Sequence, residues 1–375
     1  VTQGAVPGDV AQPCGLRAYA AATWTPPFSA HLPSDASDYA KRVSVWKAAR
    51  RRATRELHLA LQGQRGLERT ALAPTDRRLL WIHQGTPQVG DSLMDLAARQ
   101  LLAGRCDRLD LLTEPHLLPL YQADRIFTQV AGDARELSGP YDVVLLHSAS
   151  SRSVKDKLAF FRPLPFVHVQ GCYTGPEFNR TLFGFYRLAQ LLGMAVDADE
   201  LAAQACPVMW ASAADQAAID ALKLPAEPVA IALGGVRDWR TYTRWSEVLK
   251  LLQQRREAAG ATMPPLLLIG ADNGLALRDQ LLAAHPDLDF VDRVGQHSLP
   301  QVYELLQRCK AVLAADGGLL HVAQAARVPV VGLFAGVIDP SYRITAANPT
   351  WPMHAPERVD QIEPVAVAEQ VAALL

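Results

Sequence analysis

The chain has 375 residues, 49% hydrophobic and 20% charged, which predicts two domains with sizeable cores. Lys and Arg number 37 against 38 Asp and Glu, a formal net charge of −1. That balance argues against nucleic acid as a partner, and no apolar run of 18 residues marks a membrane span. The five cysteines (Cys14, Cys106, Cys172, Cys206 and Cys309) form no CxxC pair and no zinc-spaced cluster, which fits a reducing compartment. The N-terminus lacks a basic region followed by an apolar core, so no signal peptide is expected. A cytoplasmic protein is expected, with peripheral contact at the inner face of the cytoplasmic membrane left open.

Residues 1–77 read as an extension. The first 33 are rich in Ala, Pro, Gly and Thr and predict irregular structure with short helices. Residues 34–38 supply helix caps, and 39–61 reads as one helix packing Val45, Leu57 and Leu61 inward. Its basic residues Lys41, Arg42, Lys47, Arg50, Arg51, Arg52 and Arg55 form either a solvated face or a surface for anionic lipid or a phosphorylated acceptor.

A first α/β run, 78–205, begins at Arg78. Strands are predicted over 79–83, 107–113, 125–130, 142–147 and 166–170. Helices are predicted over 92–102, with Asp91 as its cap, over 117–124 and over 179–192. Residues 194–227, with Pro207 and Pro225, read as the interdomain connection. A second α/β run covers 226–350. Its strands are predicted over 229–233, ending in Gly234-Gly235, over 266–269, ending at Gly270, and over 290–294, 311–315 and 328–334. Helices are predicted over 242–256, 275–284, 299–309 and 319–327, and a closing helix over 363–375. Strands alternating with helices imply doubly wound parallel sheets. Neither run carries a GxGxxG or P-loop, and the cleft between them is the default binding site.

The most informative stretch runs from Ala311 to Arg343. Its Asp316-Gly317-Gly318 turn joins the end of a strand to the start of a helix, where free N–H groups and the helix dipole favour an anion such as phosphate. Asp316 repels phosphate and suits sugar hydroxyls. His321, one turn into the helix, is either a donor contact or a satisfied core histidine. Asp91 is either a general base or a plain cap. Arg152, Lys155 and Lys157 follow a strand end, as an anion clamp or a solvated loop.

Together these pieces resemble glycosyltransferase family 9, the ADP-heptose:lipopolysaccharide heptosyltransferases, over roughly Arg78 to Arg343. Asp316-Gly317-Gly318-Leu319-Leu320-His321, followed by VPVVGLF and Asp339-Pro340, resembles the family's D-(T/S)-G-x-x-H turn, with Gly317 in place of the hydroxyl residue. Val89-Gly90-Asp91-Ser92-Leu93-Met94 resembles its GD(V/A)L segment, whose Asp is the proposed base. Residues 141–147 with Arg152 resemble its YDLVIDL strand and the arginine that faces acceptor phosphates. The family's K-x-W-P segment has no lysine here; the region reads Gly234-Gly235-Val236-Arg237-Asp238-Trp239-Arg240, and either Arg237 or Arg240 supplies the cation.

The resemblance implies a GT-B fold and an inverting, metal-independent glycosyltransferase without a cofactor. Asp91 would be its catalytic base. Asp316, Gly317, Gly318, Leu319, His321, Gly234, Gly235, Arg237, Arg240 and Gly270 would bind the nucleotide-sugar donor, ADP-heptose. Gly90, Ser92, Arg152 and Lys155 would bind a lipopolysaccharide-core acceptor, and the basic helix 41–55 would touch the membrane. Alternatives are a protein acceptor of the autotransporter type, a sugar-nucleotide epimerase, and a catalytically silent binding module.

Overall fold

The structure is a computed structural model that describes residues 15–25, 28, 31–85, 88–148, 150–171, 173, 175–336 and 338–375. Cys14 and Cys172 therefore lie outside the described residues, as does most of the irregular stretch expected before residue 34.

The extension folds as α1 (Leu16–Ala21), α2 (Ala36–Arg42) and α3 (Val45–Leu61). The single helix expected over 39–61 is thus two. Val43 turns extended, and the Ser44 hydroxyl accepts from the Lys47 N–H to start α3 afresh, a local bond that competes with helix continuation. The buried face also differs from the expected one. Leu57 and Leu61 are exposed, whereas Ala48, Ala49 and Leu59 are buried. Ala48 and Ala49 pack against Ala20 and Trp24 in a small separate core, because only small side chains let α1 approach α3 closely.

The first lobe follows in order β1 (Glu68–Arg69), β2 (Arg78–His83), α4 (Val89–Asp95), β3 (Arg108–Thr113), α5 (Leu118–Tyr121), β4 (Gln129–Ala131), β5 (Val143–Ser148), α6 (Ser151–Phe160), β6 (Phe166–Gly171) and α7 (Arg180–Leu191). The connection carries α8 (Ala198–Gln204) and α9 (Ala213–Asp220). The second lobe runs β7 (Val229–Leu233), α10 (Trp245–Ala258), β8 (Leu266–Gly270), α11 (Leu275–Ala284), β9 (Phe290–Asp292), α12 (Leu299–Leu306), β10 (Ala311–Ala315), α13 (Gly318–Ala325), β11 (Val330–Ala335), β12 (Thr350–Ala355) and α14 (Pro364–Leu374).

Each lobe is a six-stranded parallel sheet, ordered β1-β6-β5-β2-β3-β4 and β12-β11-β10-β7-β8-β9. Two edge strands lie outside the sequence expectation. β1, inside the extension, pairs with β6. β12 pairs with β11 from Thr350 to Ala355, so the second sheet runs past the boundary at 350. Both are largely exposed, and β12 contains Pro352, so neither shows an apolar period; proline is tolerated at a sheet edge.

One face of each sheet contributes to a shared apolar cluster. Trp81 and Leu145 from the first lobe and Ala230 and Phe334 from the second join it, with Leu93 of α4 and Leu320 of α13. Full burial of each leucine contributes about 1.5–3 kcal/mol. The opposite faces pack separately, the second lobe's against α10 and α14. The sheets are thereby fixed with the carboxyl ends of β2 and β10 towards each other. No helix among the described residues is long and apolar enough to cross a membrane.

Candidate active site between the two lobes

The amino ends of α4 and α13 touch. A Cβ on Gly90 would lie 2.5 Å from His321 Cδ2, and one on Gly318 would lie 3.4 Å from Val89 Cγ1. The two motifs singled out in the sequence, more than 200 residues apart, thus form the contact between lobes.

Asp91 sits in the first turn of α4, which begins at Val89, so it is not the cap of a helix starting at Ser92. Its side chain is 27% exposed, and Oδ1 lies 3.5 Å from Arg180 Nε. Ser92 is buried, with its hydroxyl 2.7 Å from the Tyr121 hydroxyl; it is thus engaged inside the first lobe.

Arg180 is held by its own neighbours. Asn179 caps α7, its Oδ1 accepting from the Leu182 N–H at 3.0 Å. The Asn179 amide donates across the interface to the Ser341 and Ile344 carbonyls at 2.7 and 2.8 Å. The Arg180 guanidinium also donates to both oxygens of buried Asp95 at 3.1 and 3.0 Å. Asp95 Oδ2 lies 3.4 Å from His83 Nε2 and 3.2 Å from His147 Nε2. Burial works to raise the Asp95 carboxyl, but the Arg180 charge and the two imidazoles hold it well below the usual carboxylate range. Burial pushes the His83 imidazole down, against the pull of Asp95. The ligand atoms of His83, Asp95 and His147 lie within 4.8 Å of one another, as a metal ion would need. Arg180 already supplies the counter-charge to their single carboxylate, and a divalent cation beside it would meet like-charge repulsion.

Across the contact, Asp316 follows β10 and is buried, its N–H bonded to the Leu333 carbonyl. Arg240 approaches its Oδ2 at 3.4 Å and Arg343 its Oδ1 at 3.5 Å. These are ion-pair distances, longer than good hydrogen bonds. Asp316 Oδ2 and Arg240 Nε are both buried without a hydrogen-bond partner among the described residues. Such orphans are costly in a native interior unless a ligand or water satisfies them. Gly317 precedes α13 with extended backbone, and no side chain among the described residues caps the helix. Among the described residues, a Cβ on Gly317 would meet only the Ala315 carbonyl oxygen, at 3.8 Å. The first-turn amides of α13 therefore lack a side-chain partner among the described residues.

Of the two candidate cations, Arg240 stands at the turn, stacked 4.4 Å over the Trp239 ring. Arg237 is exposed and makes no ion pair among the described residues; its carbonyl accepts from the Arg240 N–H. Gly270 has φ +158, and a Cβ there would lie 2.5 Å from the Leu233 carbonyl; one on Gly235 would lie 2.6 Å from Thr241 Oγ1. Gly234, Gly235 and Gly270 thus let the loops after β7 and β8 pack on each other beside the turn. His321 is a satisfied interior histidine. Its Nδ1 is 2.9 Å from Gln324 Oε1, burial lowers its pKa, and Gln324 donates to the Arg343 carbonyl at 3.1 Å. Leu319 is partly buried in the same turn of helix.

Arg152 and Lys155 stand elsewhere. Arg152 is paired with Glu114 at 2.7 Å. Arg152 and Lys155 line a cavity of about 650 Å³ beside Gln84 and Asp133, and neither bonds to Asp91, Arg180 or Asp316. Lys157 is buried on Gln64, and burial lowers its pKa to about 8, so it is no part of a clamp.

Several site residues were not singled out from the sequence. His83 ends β2 and His147 is the last residue but one of β5, near the carboxyl ends where ligand groups usually lie in such sheets. Asp95 is four residues after Asp91 on one helix face. Arg343 closes the second motif and reaches Glu177 at 2.8 Å as well as Asp316. For Arg180 and Asn179 no sequence signal stands out; only the fold brings them here.

Residues 187–346 match the family model described as glycosyltransferase family 9 (heptosyltransferase). No curated protein matches the chain by sequence. Among solved structures, the glycosyl transferase family 9 protein from Veillonella parvula aligns at TM-score 0.62 with 13% identity, over 82% of this chain and 99% of its own. The E. coli ADP-heptose lps heptosyltransferase II aligns at TM-score 0.61 with 19% identity, over 79% and 98%. The E. coli heptosyltransferase WaaC with ADP aligns at TM-score 0.57 with 16% identity, over 80% and 100%. At these identities the structural matches establish a shared GT-B fold. With the family-model match over residues 187–346 and the Asp-Gly-Gly turn of its second lobe, the chain is similar to the family-9 glycosyltransferases and shares their GT-B architecture.

Proposed function

We propose that the chain transfers a heptose from ADP-heptose to a lipopolysaccharide-core acceptor with inversion and without a metal ion. The observation that carries this reading is the contact of Gly90 with His321. It sets the Asp91 carboxylate opposite a helix start flanked by Arg240 and Arg343. The names of the aligned structures, which include an ADP complex and an ADP-heptose transferase, are consistent with this donor.

In this reading Asp91 takes the proton of the acceptor hydroxyl, whose oxygen attacks the anomeric carbon from the side opposite the diphosphate. The bond from that carbon to the diphosphate oxygen breaks, and ADP leaves with the electron pair. The α13 amides and the two arginines receive the developing negative charge, the task a metal ion performs elsewhere. Asp316 binds sugar hydroxyls, which supply its unpartnered oxygen with a donor. Because Asp316 is only 4% exposed, the lobes part to admit the donor and close again for transfer.

The test is Asp91→Asn, assayed by ADP release and by the configuration of the product. A fall in kcat of about 10²–10⁴-fold with ADP affinity unchanged is expected for loss of a general base. Wild-type turnover in the variant removes the assigned base. Product retaining the donor's anomeric configuration, or activity abolished by a chelator, removes inversion or metal independence. Transfer to peptide but not to saccharide overturns the acceptor.

A further inference from the structure

The chemistry above makes no use of the N-terminal helices, yet they enclose a cavity of about 510 Å³ between α2, α3 and the segment 175–177. Lys47, Arg51 and Arg55 line it at successive helical turns, so all three project from one face of α3. Arg42 and Arg52, also in the wall, are neutralised by Asp35 at 2.9 Å and Glu56 at 2.7 Å. Among the described residues, Lys47, Arg51 and Arg55 have no ion-pair partner. Like charges one turn apart destabilise a helix by about 0.2–0.5 kcal/mol per pair. The fold gains nothing from this arrangement by itself.

The acids in the wall do not answer these charges. Asp35 is taken by Arg42 and by the Glu177 N–H at 2.8 Å. Glu177 is taken by Arg343. The cavity therefore presents about three uncompensated positive charges. A phosphomonoester, with about −1.5 to −2 charge and three acceptor oxygens, matches them better than a single carboxylate.

The cavity is also joined to the active site. A Cβ on Gly175 would lie 2.1 Å from the Tyr39 hydroxyl, so α2 seats directly on this segment. Glu177 in the wall is three residues from Arg180, which holds Asp91. Their Cα atoms are at most about 11 Å apart. The cavity wall and the arginine that flanks Asp91 thus share one short segment of chain.

We propose that this basic cavity binds a phosphate group of the acceptor saccharide and so selects phosphorylated acceptors. The proposal rests on the transferase reading above. It assigns to the N-terminal extension a role in acceptor choice.

The test uses the full chain saturated with ADP, so that the donor site is filled, and titrates inorganic pyrophosphate by calorimetry. Binding to the wild type is expected to weaken at least tenfold in K47A/R51A/R55A and to fall at high salt, with ADP affinity unchanged. Arg51→Lys with Arg55→Lys, which keeps the charge, should retain binding within about threefold. In transfer assays the triple variant should raise KM for a phosphorylated acceptor at least tenfold. It should leave KM for the dephosphorylated acceptor and kcat unchanged. Pyrophosphate binding that survives the triple substitution overturns the cavity alone. Co-sedimentation with phosphatidylglycerol vesicles that pyrophosphate does not relieve assigns the face to a membrane and likewise overturns it. Failure of the wild type to bind ADP counts instead against the transferase reading.

Discussion

Gly90 leaves His321 no room for a methyl group: a Cβ at Gly90 would stand 2.5 Å from the imidazole Cδ2. This approach joins the two lobes at the proposed reaction centre. Gly90→Ala should therefore destabilise by about 1–3 kcal/mol, as overpacking does, and depress kcat. His321→Ala on the same chain should return part of both losses, since the clash has then lost one partner. Denaturant melts of the single and double variants measure this; equal losses in both would place the strain elsewhere.

Arg180 carries the only guanidinium bonded to buried Asp95 among the described residues. Arg180→Gln leaves that carboxylate with two imidazoles and no permanent cation. A loss of about 3–5 kcal/mol is expected, the cost of breaking a buried pair from one side. Adding Asp95→Asn should recover much of it. Transfer should stay impaired in the double variant, because Asp91 has still lost the group at its flank. Chemical denaturation and steady-state rates on the same preparations separate the two effects.

Arg240 and Arg343 flank Asp316, whereas Arg237 faces solvent. Charged hydrogen bonds contribute about 1.5–3 kcal/mol each, so Arg240→Ala and Arg343→Ala should each weaken ADP binding about tenfold or more. Arg237→Ala should leave it within about twofold. Calorimetry with ADP decides; a reversed order would move the diphosphate to the other side of the β7 loop.

His168 provides a pH signature. Burial pushes its pKa down to about 4, and the Arg187 and Arg55 charges act the same way. Glu68, 3.6 Å away, does not offset this. The unfolded chain then binds a proton near pH 6.5 that the folded chain refuses until about 4. Stability from this group is complete above 6.5 and is lost as the pH falls from 6.5 to 4, by about 3 kcal/mol in all. His168→Gln should flatten the difference between urea midpoints at pH 7 and pH 4.5.

The alternation of apolar strands and amphipathic helices, read residue by residue, foretold both parallel sheets. β7 and β10 fall where the apolar runs put them, because strands buried on both faces are continuous in hydrophobicity. β1 and β12 were not legible: short exposed edges carry no period, and Pro352 reads as a breaker. The break at Ser44 was also hidden, since a serine hydroxyl bonding its own helix start looks like one more polar residue in a basic run.

The primary structure alone determined the strand-turn-helix units that hold Asp91 and Asp316, since local period, glycines and caps act within a few residues. Which groups flank those acids was decided only by tertiary packing. Arg180 comes from α7, Arg343 from the loop after β11, and the histidines from two strand ends. Their partners lie up to about 166 positions away along the chain. Electrostatic pairing depends on distance in space, which a one-dimensional pattern does not encode.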